Sequence, residues 1–333
     1  MTYSFIIANR QGLAYDFASS VESVEHATER AGAAGRLEFT LWKTAEASFH
    51  EGDAVQFYAD GERVFAGTVF KKSRTGEGQV TATCYDRLRY LKASASYDFD
   101  GYSADGVVRR IAADLGLPLG EIEETGYPLP GFRREDKGCL DIISYAVDLT
   151  AVALGEAFVF LDDGDGLSLR RATSLAHSEV LGERSRIGGY AYETSIDGET
   201  YNSIKLVRPN EATGGADAYV MEDVSTQGLW GTLRLYEKVD ENMNDAQILD
   251  RLKRYMAYYN RPTRKLSLEG AIGVIGMNAG HMALIDLPDM GDVGFTGAAL
   301  IDKATHAFGD GLHTMDLEME VILPDEGGDG SWS

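Results

Sequence analysis

The sequence predicts a mainly β protein with an α+β insert, in which two similar β-barrel-like units flank a small helix-and-hairpin module. Three observations predict it. Short apolar runs with period-2 alternation fill the first hundred residues and return in the last third. Asp-Gly and Gly-rich turns punctuate those runs, in a chain with 38 Gly and only 7 Pro. Helical periodicity is confined to three stretches, near 103–115, 140–154 and 245–259.

In the first unit Leu37, Phe39 and Leu41 alternate with Glu38 and Thr40, the pattern of a strand with one buried face. Ala54–Tyr58 and Arg63–Phe70 flank Asp60-Gly61, a pair that tolerates positive φ and so predicts a tight hairpin. Gln79–Tyr85 follows the turn Thr75-Gly-Glu-Gly78, and Tyr85–Leu91 ends the unit. Ser103 is placed to cap a helix carrying Val107, Val108, Ile111 and Leu115, which Gly116 and Pro118 stop. A second helix is predicted from Leu140 to Leu154, and Phe158–Leu161 and Leu167–Arg170 form a hairpin around Asp162-Asp-Gly-Asp-Gly166.

In the last third, Asn244 or Asp245 starts a helix with Ile248, Leu249, Leu252, Met256 and Tyr259 on one face, and Pro262 ends it. Strands are predicted at Lys265–Glu269, Ala283–Leu287 and Phe295–Ile301. In the strand Leu312–Leu323, after the Gly309-Asp-Gly311 turn, Met315, Leu317, Met319, Val321 and Leu323 form a core face. Asp316, Glu318 and Glu320 form an acidic face opposite it. The expected division is 1–97, first β unit; 98–185, α+β module; 186–324, second β unit with the helix near 245–259; and 325–333, a flexible acidic tail.

The two β regions can be overlaid. Phe65-Ala-Gly67 matches Phe295-Thr-Gly297, and Asp86 and Asp316 each lie nineteen residues past the glycine. In that register Thr83-Cys-Tyr-Asp86 meets His313-Thr-Met-Asp316.

Composition excludes several classes. With 53 Asp+Glu against 31 Lys+Arg the formal charge is −22, so the molecule should repel a polyanion and specific nucleic-acid binding is not expected. Cys84 and Cys139 are too few for a disulfide framework and lack metal-ligand spacing; both read as buried apolar residues. The start has no secretory leader pattern, and no run approaches the roughly 18–20 apolar residues of a membrane span. Folding in the cytoplasm and no membrane insertion are therefore expected.

Catalytic and ligand-binding motifs are weak. His306 and His313 flank the 309–311 turn and can face each other, but no third ligand is apparent. Asp162–Gly166 resembles the start of a calcium loop, yet its twelfth position is Thr173 rather than Glu, which favours a hairpin turn. Gly270-Ala-Ile-Gly-Val-Ile-Gly276 lacks the Lys-Ser/Thr of a phosphate loop, and no Gly-x-Ser-x-Gly occurs. No cofactor, metal or catalytic residue is predicted. The polar face of the 245–259 helix, with Asp245, Asp250, Arg251, Lys253 and Arg254, reads as solvated or as a docking face. Trp230 and Tyr255, Tyr258 and Tyr259 fit either core or interface.

Several stretches resemble the baseplate hub proteins of contractile phage tails and phage-derived tail particles, the XkdQ/YqbQ-type family. They are Ala34–Thr40, Glu51–Val55, Val64–Phe70, Tyr85–Leu91, Thr200–Leu206, Trp230–Leu233, Tyr236–Asn242 and His313–Met315, in order along nearly the whole chain. The resemblance implies a homotrimeric ring in which two related β-barrel-like tube domains per chain continue a six-fold tail tube and join it to a three-fold spike. It implies as partners the tail-tube or tube-initiator protein, the spike protein, and tape-measure and baseplate wedge proteins, in a particle assembled in the bacterial cytoplasm. Asp316, Glu318 and Glu320 are then candidates to line the channel and keep a passing polyanion from adhering. The competing expectation is a tail-associated cell-wall hydrolase, which requires two carboxylates roughly 5–10 Å apart.

Overall fold

The computed structural model describes residues 1–30, 32–42, 48–76, 78–182, 187–210, 214–241, 243–288 and 295–321; Asn242, Leu323 and the tail 325–333 lie outside the described residues. The chain opens with β1 (Tyr3–Ala8), β2 (Ala14–Asp16), β3 (Val21–Glu29) and β4 (Arg36–Trp42). β5 (Ala54–Ala59) turns through Asp60 and Gly61, at φ 48° and 85°, into the long β6 (Glu62–Arg74), and β7 (Gln79–Tyr85) returns beside it. A 3₁₀ turn over Arg87–Lys92 leads to β8 (Ser94–Phe99). The middle contains α1 (Ala104–Leu115), β9 (Leu119–Ile122), β10 (Phe132–Gly138), α2 (Cys139–Leu154), β11 (Phe158–Asp162) and β12 (Leu167–Arg171). After β13 (Ala176–Gly182) and β14 (Gly189–Ser195) comes an inserted layer of β15 (Ser203–Asn210), β16 (Gly215–Glu222), α3 (Val224–Trp230), β17 (Arg234–Lys238) and α4 (Asp245–Tyr259). The last strands are β18 (Thr263–Ile272), β19 (Met282–Leu287), β20 (Phe295–Gly309) and β21 (Leu312–Val321).

Thirteen strands from both ends of the chain form one sheet, in the order β14-β18-β21-β20-β3-β4-β7-β6-β5-β1-β2, with β19 pairing β20 and β13 pairing β19. The order β3-β4-β7-β6-β5 in the first half is repeated as β14-β18-β21-β20-β19 in the second, and every pair in both series is antiparallel. The mainly β, two-unit class is therefore present. Each unit is an open, curled sheet; no closed barrel forms among the described residues. Curling follows from one long strand per unit that changes partner: β6 pairs β5 and then β7, and β20 pairs β19 and then β21. A bulge at Phe70 and another at Asp302 mark those crossings, since an extra residue bends the strand and raises its twist.

The units are joined at β20–β3, where His306 lies opposite His26. Phe308 on β20 packs its ring 5.0 Å from Phe57 and belongs to the first unit's core, with Phe5, Leu37 and Phe39. The second core centres on Leu266, Leu268, Met315 and Leu317.

The nineteen-residue spacing is not a structural equivalence. Tyr85 lies opposite Thr68, close to Gly67, whereas Asp316 lies opposite Thr305, well beyond Gly297. The β20–β21 ladder runs on to a two-residue turn at Asp310-Gly311, while β6 ends at Arg74, so the second hairpin is longer.

In the middle, Val107, Val108 and Ile111 of α1 and Ile142 and Ile143 of α2 pack against β11 and β12. Gly116 and Gly155 end the two helices in the left-handed conformation. Ser103 is the N-cap residue of α1 but makes no capping side-chain bond. β13 lies before residue 185, yet it pairs parallel to β19 and so joins the second sheet. α4 begins with a capping box at Asn244 and Gln247, and buries Ile248, Leu252 and Tyr255 against Ile204 and Leu206 of β15. Leu249, expected on that face, is exposed, because the stripe is centred on Tyr255 instead. Among the described residues, no helix is long and apolar enough to cross a membrane.

Candidate functional site

Alternation places one face of the large sheet outside the cores, and the strand register carries that face across the joint between the units. One row reads Ser267, Glu318, Lys303, Glu29 from β18 to β3. The next reads Asp316, Thr305, Ala27, Arg36, Tyr85, Thr68, and a third Thr314, Ala307, Glu25, Glu38, Thr83, Lys71. Five carboxylates share these rows with three bases. Arg36 reaches both Glu25 and Glu38, and Lys303 sits 3.4 Å from Glu318.

The three acids of β21 differ in setting. Asp316 and Glu318 are exposed, and Asp316 accepts the Gly270 amide at 2.7 Å. Glu320 is half-buried, with Arg30 at 3.6 Å; burial and the neighbouring Asp302 push its carboxyl above the usual range. Tyr258 of α4 lies close enough to feel that charge. Two of the three acids thus face open space, and the third lies under the inserted layer.

Beneath this face, the joint is lined by histidines. His306 Nε2–H donates to the Met277 carbonyl at 3.0 Å, which leaves its Nδ1 to accept from His313 Nε2–H at 2.9 Å. His26 stacks on His306 at 6.1 Å between centroids. A second pair, His177 and His281, meets at 2.9 Å. Burial, reinforced by the neighbouring rings, lowers His26 to about 3 and His281 and His313 to about 4; burial alone is the main cause at His306, also lowered to about 4. These rings are neutral at pH 7. His306 and His313 do face each other, as expected, but only His306 is satisfied on both nitrogens: His313 Nδ1 is buried without a partner among the described residues. Gly273 explains part of the glycine run, because a Cβ there would fall 2.2 Å from the His313 ring. Among the described residues, no group of three or more His, Cys, Asp or Glu is placed to hold a metal.

The Asp162–Gly166 turn is a hairpin between β11 and β12, and guanidinium groups stand where a cation would. Arg87 Nη1 donates to Asp162 Oδ1 at 2.7 Å, and its backbone N–H to Oδ2 at 2.8 Å. Arg63 Nη2 reaches Asp165 at 2.8 Å and the Asp163 carbonyl at 3.3 Å. Asp163 accepts the amides of Asp165 and Gly166 within the turn. Next to it, buried Asp86 accepts the Gly35 amide at 2.8 Å and the Leu88 amide at 2.9 Å; burial and Asp162 push it up to about 8. Both carboxyl groups are held by backbone amides, and Asp162 also by Arg87. The sequence reading missed this clamp, although Gly35 and Asp86 lie in two of the stretches quoted above.

Arg251, assigned to a polar helix face, is instead largely buried: it donates to Glu237 at 2.7 Å and to Tyr255 Oη. Arg254 does stay on the surface, paired with Asp250. Tyr255 belongs to the inserted core, while Trp230 ends α3 half-buried. Cys84 and Cys139 are buried and unpaired.

Residues 24–320 match the family described as YQBQ-like. The chain is similar to YqbQ of Bacillus subtilis (strain 168), at 32% identity over 275 residues and 82% of each chain. It is similar to the phage-like element PBSX protein XkdQ of the same organism, at 28% over 274 residues, again 82% of each. Its fold resembles the tail protein from Neisseria meningitidis MC58, with TM-score 0.68 and 13% identity over 96% of this chain and 97% of that one. It also resembles the Escherichia coli c3393 protein, described as a type VI secretion component structurally similar to the T4 tail proteins gp27 and gp5. There the TM-score is 0.56 and the identity 11%, over 92% of this chain and 74% of that one.

Proposed function

The chain belongs to the YQBQ-like family, and from that premise we propose that it is a structural, non-enzymatic hub of a phage-type contractile tail baseplate. Three copies form a ring that matches a six-fold tail tube to a three-fold spike, each copy supplying two similar β units. The observation that carries this reading is the repeated strand order joined edge to edge at β20–β3, which puts two like units side by side in one chain. Tail-protein likenesses among the solved structures and the kinship with a phage-like element protein support it. The units correspond to residues 1–97 and 186–324, extended in the second case to include β13, with the α+β module of 98–185 between them.

The partners are the tail-tube or tube-initiator protein on one side and the spike on the other, with tape-measure and wedge proteins nearby. The outward face that crosses the joint lines the axial channel. Asp316 and Glu318 point into it, and Glu320 sits at its margin under Arg30. Five carboxylates against three bases keep that lining weakly acidic, which discourages adhesion of a polyanion. Light scattering of purified protein, followed by electron microscopy after mixing with the tube and spike proteins, tests the reading. A three-copy ring bridging both is expected; a stable monomer that joins neither would refute it.

A further inference from the structure

We propose that the ring is closed by pairing β14 of one copy with the second half of β6 in the next, an edge-to-edge ladder that repeats the β20–β3 joint inside each chain. This inference rests on the ring reading above and adds the surfaces that form it.

Two strands lack a second described strand along part of their length. In the second unit, β20 binds β21 on one edge and, from Lys303 to Phe308, β3 on the other. Its counterpart β6 binds β7 from Thr68 to Arg74, but its other edge has β5 only as far as Thr68, with Val69 tied to the Asp53 carbonyl. Beyond that point no described strand covers it. The counterpart of β3 is β14, which pairs with β18 and with no other described strand. Among the described strands, each chain therefore contains one completed joint and two edges, on β6 and β14, that no second strand pairs.

The bulges fix the register. Lys71 follows the bulge in β6 and faces Thr83; Lys303 follows the bulge in β20 and faces Glu318. Working across the sheet, Thr83 faces Glu38, which faces Glu25; Glu318 faces Ser267, which faces Ala191. Glu25 thus corresponds to Ala191, Ala27 to Glu193 and Glu29 to Ser195. Inside the chain Lys303 faces Glu29 and Thr305 faces Ala27. Carried over, Lys71 of one copy faces Ser195 of the next, and Ser73 faces Glu193.

Charge agrees with the choice of these two edges. The open half of β6 carries Lys71 and Arg74, with Lys72 turned to the Phe49 carbonyl, in a chain of net charge −22, and β14 carries Glu193 with Asp197 and Glu199 just beyond. An open strand edge is a template for another strand, and a pairing that uses two different edges propagates head to tail until it closes.

The test is cross-linking of the full chain carrying Ser73→Cys and Glu193→Cys. Both positions are exposed, and the native Cys84 and Cys139 are buried. Facing residues in an antiparallel ladder lie about 4.5–5.5 Å apart at Cα, within reach of a disulfide. Mild oxidation should give covalent dimers and trimers on a non-reducing gel, with neither single variant cross-linking alone and a mixture of the two singles stopping at dimer. A trimer by light scattering whose double variant stays uncross-linked overturns the strand pairing and leaves the ring reading intact. A monomer at all concentrations overturns both.

Discussion

Acid should loosen the joint between the two β units, and the magnitude follows from His306. Its folded value is about 4 because burial penalises the charged ring, against 6.5 in an unfolded chain. Between those values the unfolded chain takes up a proton that the folded chain refuses, so the stability present above pH 6.5 is lost as pH falls toward 4. At pH 5 the unfolded ring is almost fully protonated and the folded ring about one-tenth, which costs about 2 kcal/mol relative to pH 7.5. His26 and His281, also lowered, add in the same direction. Asp86 acts oppositely, since a carboxyl raised to about 8 is favoured by acid. The test is therefore a difference between two proteins that both contain Asp86.

Replacing His306 by Phe removes the donor to Met277 and the acceptor for His313, and should cost about 1–3 kcal/mol at pH 7.5. It also removes the repulsion that lowers His26 and His313. Urea unfolding of both proteins, followed by fluorescence from pH 7.5 to 5, should show the gap narrowing by about 2 kcal/mol or more. A gap that stays constant, or widens on acidification, would falsify the assignment of neutral, buried histidines at the joint.

Further outcomes follow from the clamp and the inserted layer. Gly35→Ala would place a Cβ 2.5 Å from the Asp86 carboxylate, so a loss of about 1–3 kcal/mol is expected in the urea midpoint. Arg87→Ala leaves Asp162, whose side chain is only 1% exposed, without its cation; a loss of about 3–5 kcal/mol is expected. Asp165→Ala, at the exposed end of the Arg63 pair, should cost less than about 1 kcal/mol in the same assay. Millimolar calcium should leave the melting temperature unchanged, because Arg87 and Arg63 already pair with Asp162 and Asp165 and Asp163 accepts the turn's own amides; a calcium-dependent rise would contradict that account. Leu252→Ala in α4 should cost about 2–5 kcal/mol through the cavity left against β15, measured by thermal unfolding.

The sequence by itself determined the elements whose cause is local. Alternation at Leu37-Phe39-Leu41 and Met315-Leu317-Met319 marks which side chains enter a core, and Asp60-Gly61 and Asp310-Gly311 mark turns that need positive φ. Asn244 marks the start of α4 because its side chain caps its own helix. The tertiary structure alone decided what depends on distant partners. Period-2 patterning says which face of β20 is buried but not that β3 lies on its free edge, since the ladder is made by backbone groups common to every residue. It placed β13 in the second sheet for the same reason. Arg251 reads as polar until Glu237 and Tyr255 are brought to it, and the acidic 162–166 turn, legible as a hairpin, gives no sign that Arg63 and Arg87 reach it from the first unit. The equal nineteen-residue spacing misled because a longer hairpin moves the far strand without changing its alternation. Of the acidic stripe, the sequence supplied the face; the fold decided that Asp316 and Glu318 remain open while Glu320 is drawn toward Arg30 and Tyr258.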